Sequence, residues 1–324
     1  MGDPAGIGPE VLLAALAPAA VQRGANGLIV GDAAWLRRTA RRLGIPWRWP
    51  VVAAPQTDPR APAWQVWDAV RVADSVRPGR LQAAAGRAAL AVLDQALTLI
   101  RDGAVEALVT APVSKAAIST ISPGWWGHTE YLGHACGVAD PVMMFVAGPL
   151  KVSLVTTHES LAQALRTITP ARVTQVVTRT VKALTGDFGV RRPRVAVAAI
   201  NPHAGERGLL GTDEQQWIAP LIRTLQRTLL AQLSGPWPAD TLFAQAARGQ
   251  YDAVVAMYHD QALIPIKLLA WESAVNVTLG LPFVRTSPSH GTAFDIAGRG
   301  RADPSSMRHA IRLAIALASR RLSK

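Results

Sequence analysis

Short apolar runs alternate with helical segments along the whole chain, and this alternation constrains the fold more than any other feature. GLIVGD at 27–32 precedes an Arg-rich helical segment, and ALVTAP at 107–112 follows a long helical pattern at about 79–103. RVAVAAI at 194–200 precedes the helical pattern of 213–230. Runs of this length that are rich in Val read as buried strands, and strands alternating with helices form layered α/β folds with a mostly parallel sheet. We therefore predict an α/β protein.

Local signals predict several further elements. PVMMFVAG and LKVSLVTTH flank Gly148-Pro149 and predict a hairpin. A helix over 170–184 would have Pro170 in its first turn and Thr169 as its cap. The Pro- and Trp-rich stretches at 46–64 and 235–240 predict surface excursions.

Composition indicates an ordered globular protein. The chain has 324 residues with 49% hydrophobic and 17% charged residues, enough for a large core and two domains. No uncharged apolar stretch approaches the roughly 18 residues of a membrane helix. The N-terminal segment lacks the pattern of a signal peptide, so we expect a cytoplasmic protein without membrane contact. Cys136 is the only cysteine, which excludes an intrachain disulfide and a thiolate zinc site.

The formal net charge of +12 raises the alternative of a nucleic-acid-binding protein. Only five of the 34 basic residues are Lys, and the Arg residues are scattered apart from one cluster at 37–42. That cluster occupies the polar face of a predicted helix and has no interleaved aromatic residues for base stacking. We expect an Arg-rich solvated surface and no nucleic-acid partner.

Three histidines each follow a predicted strand. His158 comes after Val152–Val155, His203 after Val195–Ile200, and His259 after Val254–Met257. Ligands of α/β sheets collect at the carboxyl ends of strands, and three imidazoles there would leave one position of a catalytic metal site open. The spacings match no local metal motif, so three unrelated histidines are the alternative that position alone leaves open.

Other segments carry polar groups that suit an anionic substrate. GDPAGIGPE at 2–10 places glycines ahead of a helix whose amino terminus could meet an anion. GHTEY at 127–131 supplies His128 and Thr129 at a helix start. Lys267, Asn276 and Arg285 follow one another at nine-residue intervals and would suit a phosphate or carboxylate. No GxGxxG fingerprint occurs, which argues against a Rossmann cofactor site.

Taken together, these segments resemble the family of 4-hydroxythreonine-4-phosphate dehydrogenases, enzymes of pyridoxal 5′-phosphate synthesis. The matching stretches occur in family order over nearly the whole chain: GDPAGIGPE, TAPVSK, GHTEYL, VTTHESL, NPHAGERGLLGTDE, YHDQ and the run from Lys267 to Gly298. The chain also resembles the wider isocitrate/isopropylmalate dehydrogenase group, in which HGTAFDIAG corresponds to an adenosine-binding loop.

The resemblance implies a two-domain α/β/α layered fold with the active site in the cleft between domains. It implies a first, cofactor-side domain at 1–120 plus 291–324 and a second domain at 121–290 with metal, substrate and dimer contacts. The implied roles fall into three sets. The metal ligands are His158, His203 and His259; the substrate contacts are His128, Thr129, Lys267, Asn276 and Arg285; the cofactor contacts are His290, Gly291, Thr292, Asp295 and Ile296.

The implied reaction oxidises the 3-hydroxyl of 4-phosphohydroxy-L-threonine with NAD and releases CO₂. The implied metal is divalent, zinc first with magnesium or cobalt as alternatives, and an Asp at the position of Asp295 goes with NAD rather than NADP. Family members are homodimers whose active sites are built from both subunits. Asp260 and Lys115 are candidates for the proton acceptor, and the residues do not decide between them.

Three alternatives compete with this interpretation. A paralogous enzyme would oxidise threonate or erythronate 4-phosphate, or an aromatic cis-dihydrodiol carboxylate. A phosphate acyltransferase has a related fold but no obvious use for three histidines, and a non-catalytic anion-binding protein would account only for the basic charge.

The N-terminus departs from the family pattern. Relatives usually have an apolar strand ahead of GDPAGIGPE, whereas here Met1 stands where that strand would have ended. Either the first strand is absent or translation begins upstream, and we prefer an upstream start because a missing central strand would remove much of the first domain's packing.

Overall fold

The computed structural model describes residues 1–55 and 63–323. They form two compact units, each with helices on a sheet, which confirms the predicted α/β class. Unit 1 comprises Met1–Gly137 and Pro282–Ala318, and unit 2 comprises Val138–Leu281 and Ser319–Lys324.

Unit 1 contains three parallel strand pairings and the helices around them. Its elements are α1 (Gly8–Leu16), α2 (Ala19–Gln22), β1 (Gly27–Gly31), α3 (Ala33–Arg42), β2 (Val51–Val52), β3 (Trp64–Asp68), α4 (Ala83–Arg101), β4 (Ala107–Val109), α5 (Lys115–Ser119), α6 (His128–Ala135), β11 (Val284–Pro288) and most of α12 (Ser305–Leu322). Strands β1, β3 and β2 form a three-stranded parallel sheet, and β11 pairs in parallel with β4. Leu13, Leu16 and Leu36 are fully buried in its core.

Unit 2 contains six neighbouring strands of a mixed sheet. Its elements are β5 (Val142–Ala147), β6 (Leu150–Leu154), α7 (Leu161–Thr167), α8 (Pro170–Gly186), β7 (Arg194–Ala198), α9 (Ala219–Thr228), β8 (Gln232–Trp237), α10 (Ala239–Ala247), β9 (Ala253–Ala256), α11 (His259–Ala270) and β10 (Val275–Leu279). The strand order is β10-β5-β6-β9-β7-β8, and the pairings β6-β9, β9-β7 and β7-β8 are parallel. Val152, Ala196 and Val254 lie fully buried at its centre.

The contacts divide the chain at different residues from the predicted domain boundaries. Segments 121–137 and 282–290 belong to unit 1, although the sequence assigned them to the second domain, and 319–324 belong to unit 2. The reason lies in long-range contacts: Trp125 packs with Ala89 and Ile118, and β11 pairs with β4.

Two local predictions are confirmed. Strands β5 and β6 form an antiparallel hairpin in which Ala147 pairs with Leu150 across Gly148-Pro149. Helix α8 begins at Pro170, and the Thr169 side chain accepts a hydrogen bond from the backbone N–H of Arg172 at 3.3 Å.

The prediction of two surface excursions is wrong for the described residues. Within 46–64, of which 56–62 lie outside the described residues, Trp49 is buried and Val51–Val52 form β2. Residues 235–237 belong to β8, which pairs with β7. Both are terminal strands of their sheets, and an edge strand tolerates proline because one side of its backbone needs no partner. Pro and Trp interrupt the alternation of apolar and polar residues in these short segments, so the sequence pattern did not indicate strands.

Helix α4 is long and apolar enough to span a membrane by length and composition alone. Half of its most apolar window is buried, and Val92, Leu93 and Leu97 are among its buried side chains. Packing within unit 1 accounts for its apolar character.

Candidate functional site

The three predicted metal-binding histidines follow three neighbouring parallel strands of unit 2. Strand β9 lies between β6 and β7, with Leu154 opposite Ala256 and Ala196 opposite Val254. His158, His203 and His259 all lie beyond the carboxyl ends of these strands. The chain segments that carry them therefore leave the sheet at one edge, as the sequence predicted.

The segments after β6 and β9 stay paired beyond the sheet. The backbone N–H groups of Val155 and Thr156 donate to the carbonyls of Ala256 and Met257, and the Thr156 hydroxyl also donates to the Met257 carbonyl at 2.8 Å. This continued pairing brings the imidazoles of His158 and His259 together, with ring centroids 5.8 Å apart.

His259 is oriented by its neighbour in the chain. It is the first residue of α11, and its Nδ1 lies 2.7 Å from Oδ1 of Asp260. This contact directs Nε2 away from the carboxylate, which is the arrangement that metal-binding histidines share. Asp260, a candidate proton acceptor, is thereby engaged with the ring of His259.

His203 lies in a turn of unusual backbone conformation. The residues from His203 to Arg207 all have positive φ, at 50°, 53°, 80°, 43° and 57° in chain order. Only Gly205 among them lacks a Cβ, and a left-handed conformation costs each of the others roughly 1–2 kcal/mol. The His203 side chain is exposed.

The three predicted metal ligands do not form one group in the described part of the chain. Within residues 1–55 and 63–323, no group of three His, Cys, Asp or Glu side chains is arranged to hold a metal. His158 and His259 form a pair, and the third predicted ligand, His203, is not grouped with them.

A second set of predicted residues meets in unit 1. His128 is the first residue of α6, after Gly127, whose φ of 151° and close contacts with Glu130 and Lys115 leave little room for a side chain. Arg285 on β11 is buried and donates from Nη2 to the Thr110 hydroxyl at 2.7 Å.

Burial sets the protonation of this cluster. Burial, together with the positive charges of Arg285 and Lys115, holds the pKa of His128 well below its ordinary value of 6.5, so the ring is neutral at neutral pH. Burial lowers the pKa of Arg285 to about 10, with the nearby charge of Glu130 opposing that change, so the guanidinium stays charged. Buried Thr129 follows His128 in the first turn of α6.

The other two predicted substrate contacts belong to unit 2. Lys267 is exposed near the end of α11, with its Nζ 5.1 Å from the ring centroid of Trp271. Asn276 lies on β10 opposite Phe145, and among the described residues its buried Oδ1 has no hydrogen-bond partner. Such an acceptor is available for an N–H or O–H of a ligand.

The predicted cofactor loop of unit 1 is joined to the Gly-rich N-terminal segment. The backbone N–H of Ile7 donates to the Thr292 carbonyl at 3.0 Å, and a Cβ on Gly6 would lie 2.9 Å from Cβ of Thr292. Buried Glu10 accepts from the backbone N–H groups of Gly298 at 2.6 Å and Gly300 at 3.2 Å. Its two oxygens thus fix the end of the loop.

Side chains within the cofactor loop differ in exposure. Asp295 and Gly291 are exposed and Ile296 is half-buried. Nδ1 of His290 lies 3.1 Å from the Gly291 carbonyl, and its Nε2 is buried without a hydrogen-bond partner in the described part of the chain.

The first residues of the chain are buried in unit 1. The Met1 α-amino group donates to the Val30 carbonyl at 2.9 Å, and burial lowers its pKa to about 5. Asp3 does not cap α1; its Oδ1 accepts from the Ala5 N–H at 2.8 Å, and burial raises its pKa.

Sequence reasoning missed two carboxylates that support these loops. Glu10 lies 288 positions from Gly298 in the chain, and Glu214 accepts hydrogen bonds from residues before the His203 turn. Both stand inside segments whose motifs were recognised, GDPAGIGPE and NPHAGERGLLGTDE. The signal that could have identified both carboxylates is the presence of an acidic residue inside an apolar or Gly-rich motif.

Comparisons with known proteins identify the family of this chain. The family model described as Pyridoxal phosphate biosynthetic protein PdxA matches residues 23–314. A 4-hydroxythreonine-4-phosphate dehydrogenase of Acidithiobacillus ferrooxidans is 46% identical over 320 residues, covering 96% of this chain and 92% of the relative. A D-threonate 4-phosphate dehydrogenase of Cupriavidus necator is 42% identical over 324 residues, covering 99% and 96%.

Solved structures give the same result. The crystal structure of a 4-hydroxythreonine-4-phosphate dehydrogenase from Klebsiella pneumoniae has a TM-score of 0.86 to this chain at 42% identity, covering 98% of this chain and 96% of that one. The resemblance inferred from the motifs is thus confirmed over nearly the full length. The chain belongs to the PdxA family of dehydrogenases.

Proposed function

We propose that this protein oxidises and decarboxylates 4-phosphohydroxy-L-threonine with NAD, giving 3-amino-2-oxopropyl phosphate for pyridoxal 5′-phosphate synthesis. Family membership and relatives that carry this activity in their names support the proposal. The structural observation that carries it is the pairing of His158 with His259 at the sheet edge where His203 also emerges.

We propose a divalent metal held by His158, His203 and His259, with zinc first and magnesium or cobalt as alternatives. The residues fit such an ion. Metal–nitrogen bonds of about 2 Å place the centres of two imidazoles on one ion roughly 5–6 Å apart, and the observed separation is 5.8 Å. The contact of His259 with Asp260 also has the form of a metal-supporting carboxylate.

Other residues of the chain would bind the substrate and accept its proton. A bound metal would acidify the substrate hydroxyl and polarise the carbonyl that replaces it. Arg285 would bind an anionic group of the substrate through its charged guanidinium, and neutral His128 would exchange hydrogen bonds with it. Thr129, Lys267 and Asn276 complete the proposed contacts. Lys115 lies within the His128 cluster and Asp260 contacts a proposed ligand, so both stay candidates for the proton acceptor.

We propose that NAD binds the loop at 290–296 through His290, Gly291, Thr292, Asp295 and Ile296. The carboxylate of Asp295 is exposed and would accept hydrogen bonds from a ribose 2′-hydroxyl, whereas a 2′-phosphate would be repelled. This favours NAD over NADP.

We propose that the protein works as a homodimer with shared active sites. Helix α11 begins at His259, and on and just after it Ile264, Leu268, Leu269 and Trp271 are between 59% and 81% exposed. An apolar surface of this kind is typical of a subunit interface. A second copy is also consistent with the lack of three grouped ligands within the described residues of one chain. We place this enzyme in the cytoplasm without a nucleic-acid partner.

The second candidate is a paralogous dehydrogenase, and the D-threonate 4-phosphate dehydrogenase relative favours it. The 2-amino group distinguishes the two substrates, so the test is NADH formation with a panel of 4-phosphohydroxy-L-threonine, D-threonate 4-phosphate, erythronate 4-phosphate and an aromatic cis-dihydrodiol carboxylate. We expect the highest kcat/KM with the amino substrate. A failure to turn over that substrate alongside turnover of another would contradict the first proposal and support the second.

A further inference from the structure

The His203 turn is held in a conformation that its own residues disfavour. His203, Ala204, Glu206 and Arg207 all have a Cβ and all adopt left-handed backbone angles. L residues enter this region as single residues rather than in runs, because Cβ then approaches the following carbonyl. Such a run persists only where the surrounding structure determines it, and it marks a site where the conformation is used.

A single buried carboxylate fixes the entry to this turn. Oε1 of Glu214 accepts from the backbone N–H groups of Ile200 at 2.9 Å and Asn201 at 2.8 Å. Oε2 accepts from Nδ2 of Asn201 at 3.0 Å, and that amide also donates to Oδ2 of Asp213 at 3.2 Å. Glu214 is only 3% exposed, so these bonds are not shared with bulk water.

The far side of the turn packs against the same carboxylate. A Cβ on Gly205 would lie 2.8 Å from Oε2 of Glu214 and 2.6 Å from the Gly211 carbonyl oxygen. The backbone N–H of Leu210 donates to the Gly205 carbonyl at 3.1 Å. The turn therefore closes around Glu214, and at Gly205 it is the backbone that lies against the carboxylate.

We propose that Glu214 is a positioning residue for the metal site: it holds the left-handed turn so that His203 is presented in one orientation before the metal binds. Glu214 acts through His203 and is not itself a ligand. The inference rests on the proposed function, since it requires His203 to be a metal ligand. Preorganisation of this kind raises affinity because less ordering accompanies binding.

The first experiment measures Co²⁺ affinity of the metal-free full chain from the visible absorption of the bound ion. Glu214→Gln keeps the shape of the side chain but replaces one acceptor with a donor facing Asn201. We expect affinity to fall by about 10- to 100-fold, the range for supporting residues around a metal. An affinity equal to that of the wild type would overturn the proposal.

Asp252→Asn provides the matched control. Asp252 accepts hydrogen bonds from the backbone N–H of Arg194 at 2.7 Å and from the Arg194 side chain. It therefore supports the amino end of β7, whereas Glu214 supports the chain beyond the carboxyl end of the same strand. We expect a loss of thermal stability and unchanged Co²⁺ affinity. An equal loss of affinity in this variant would contradict a specific role for Glu214.

Substitutions at Ala204 test the backbone conformation directly. Glycine adopts left-handed angles without the Cβ penalty, so Ala204→Gly should restore part of the Co²⁺ affinity of the Glu214→Gln protein. Valine is strongly disfavoured there, so Ala204→Val should weaken binding with Glu214 intact, which also covers the case in which Glu214→Gln fails to fold. Absence of either effect would contradict the proposal.

His203→Ala distinguishes an error in the proposed metal ligands from an error in the proposed role of Glu214. If this variant binds Co²⁺ as tightly as the wild type, the ligand assignment in the proposed function is wrong. If it loses binding while Glu214→Gln and Ala204→Val retain it, only the positioning role of Glu214 is wrong.

Discussion

His128 and Arg285 lie in the same cluster of unit 1, and burial affects their charges differently. The pKa of His128 falls well below 6.5, so the ring loses its charge at neutral pH, whereas the pKa of Arg285 falls only to about 10 and the charge is kept. The cluster therefore combines the charged guanidinium of Arg285 with the neutral ring of His128. Neither property is visible in GHTEY or in the spacing of Arg285, because both depend on residues far apart in the chain.

The first prediction concerns stability and pH. Because the pKa of His128 is lower in the folded state, the unfolded chain binds the proton more readily, and folding stability falls as pH drops below about 6.5. His128→Asn removes this titration. We expect the difference in unfolding free energy between wild type and variant to shrink from pH 8 to pH 5 in denaturant titrations.

Exposed His309 on α12 supplies the control for this measurement. His309→Asn makes the same substitution at an exposed position and serves as the reference for the effect at His128. A pH-independent difference for His128→Asn would contradict the burial account.

At the scale of elements, the strands and their order along the chain could be predicted from the sequence. The hydrogen bonds that support the loops could not. The runs before His158, His203 and His259 are strands in which nearly every residue is buried, as is usual for strands in the interior of an α/β sheet. Local periodicity carries that information. The left-handed turn after β7 and the Glu10 contacts depend on partners 13 to 290 positions away, which no periodic pattern encodes.

The second prediction concerns Glu10 and the cofactor loop. Glu10→Gln leaves one acceptor for two backbone N–H groups, so the end of the loop at Gly298 and Gly300 loses a hydrogen bond. We expect the KM for NAD to rise by about tenfold, corresponding to the roughly 1–2 kcal/mol of one unsatisfied buried group. Initial-rate kinetics with each substrate varied should show a much smaller change in the KM of the phosphorylated substrate.

Exposed Glu106 of the same unit provides the matched substitution. Glu106→Gln should leave both KM values unchanged. Equal effects of Glu10→Gln on the two substrates would argue that Glu10 supports the whole unit rather than the loop.

At the scale of the whole molecule, the proposed dimer uses the exposed apolar surface of α11 as its interface. The predicted α/β fold is confirmed. The contacts divide the chain into two compact units, and Trp125 and β11 pack on partners in the first part of the chain. Neither the sequence nor a single chain contains the contacts of a second copy, so the dimer stays a prediction.

The third prediction tests that assembly. Leu268 is 81% exposed on α11, and Leu268→Glu places a charge on the proposed interface. If this charge prevents dimerisation, the variant should be monomeric in sedimentation experiments. We also expect its metal affinity to fall at least tenfold. Leu230 is 74% exposed elsewhere in unit 2, so Leu230→Glu should remain dimeric and keep its metal. A Leu268→Glu monomer with full metal content would contradict a shared site.

The most direct test of the three-histidine dehydrogenase site combines metal analysis with NADH formation on 4-phosphohydroxy-L-threonine, for wild type and His203→Ala. We predict about one divalent metal per chain in the wild type, and a variant that folds but loses both the metal and at least 10³-fold in activity, since the metal supplies several kcal/mol of transition-state stabilisation. A His203→Ala protein that forms NADH at the wild-type rate, or a wild type fully active after its metal has been removed, would contradict the account.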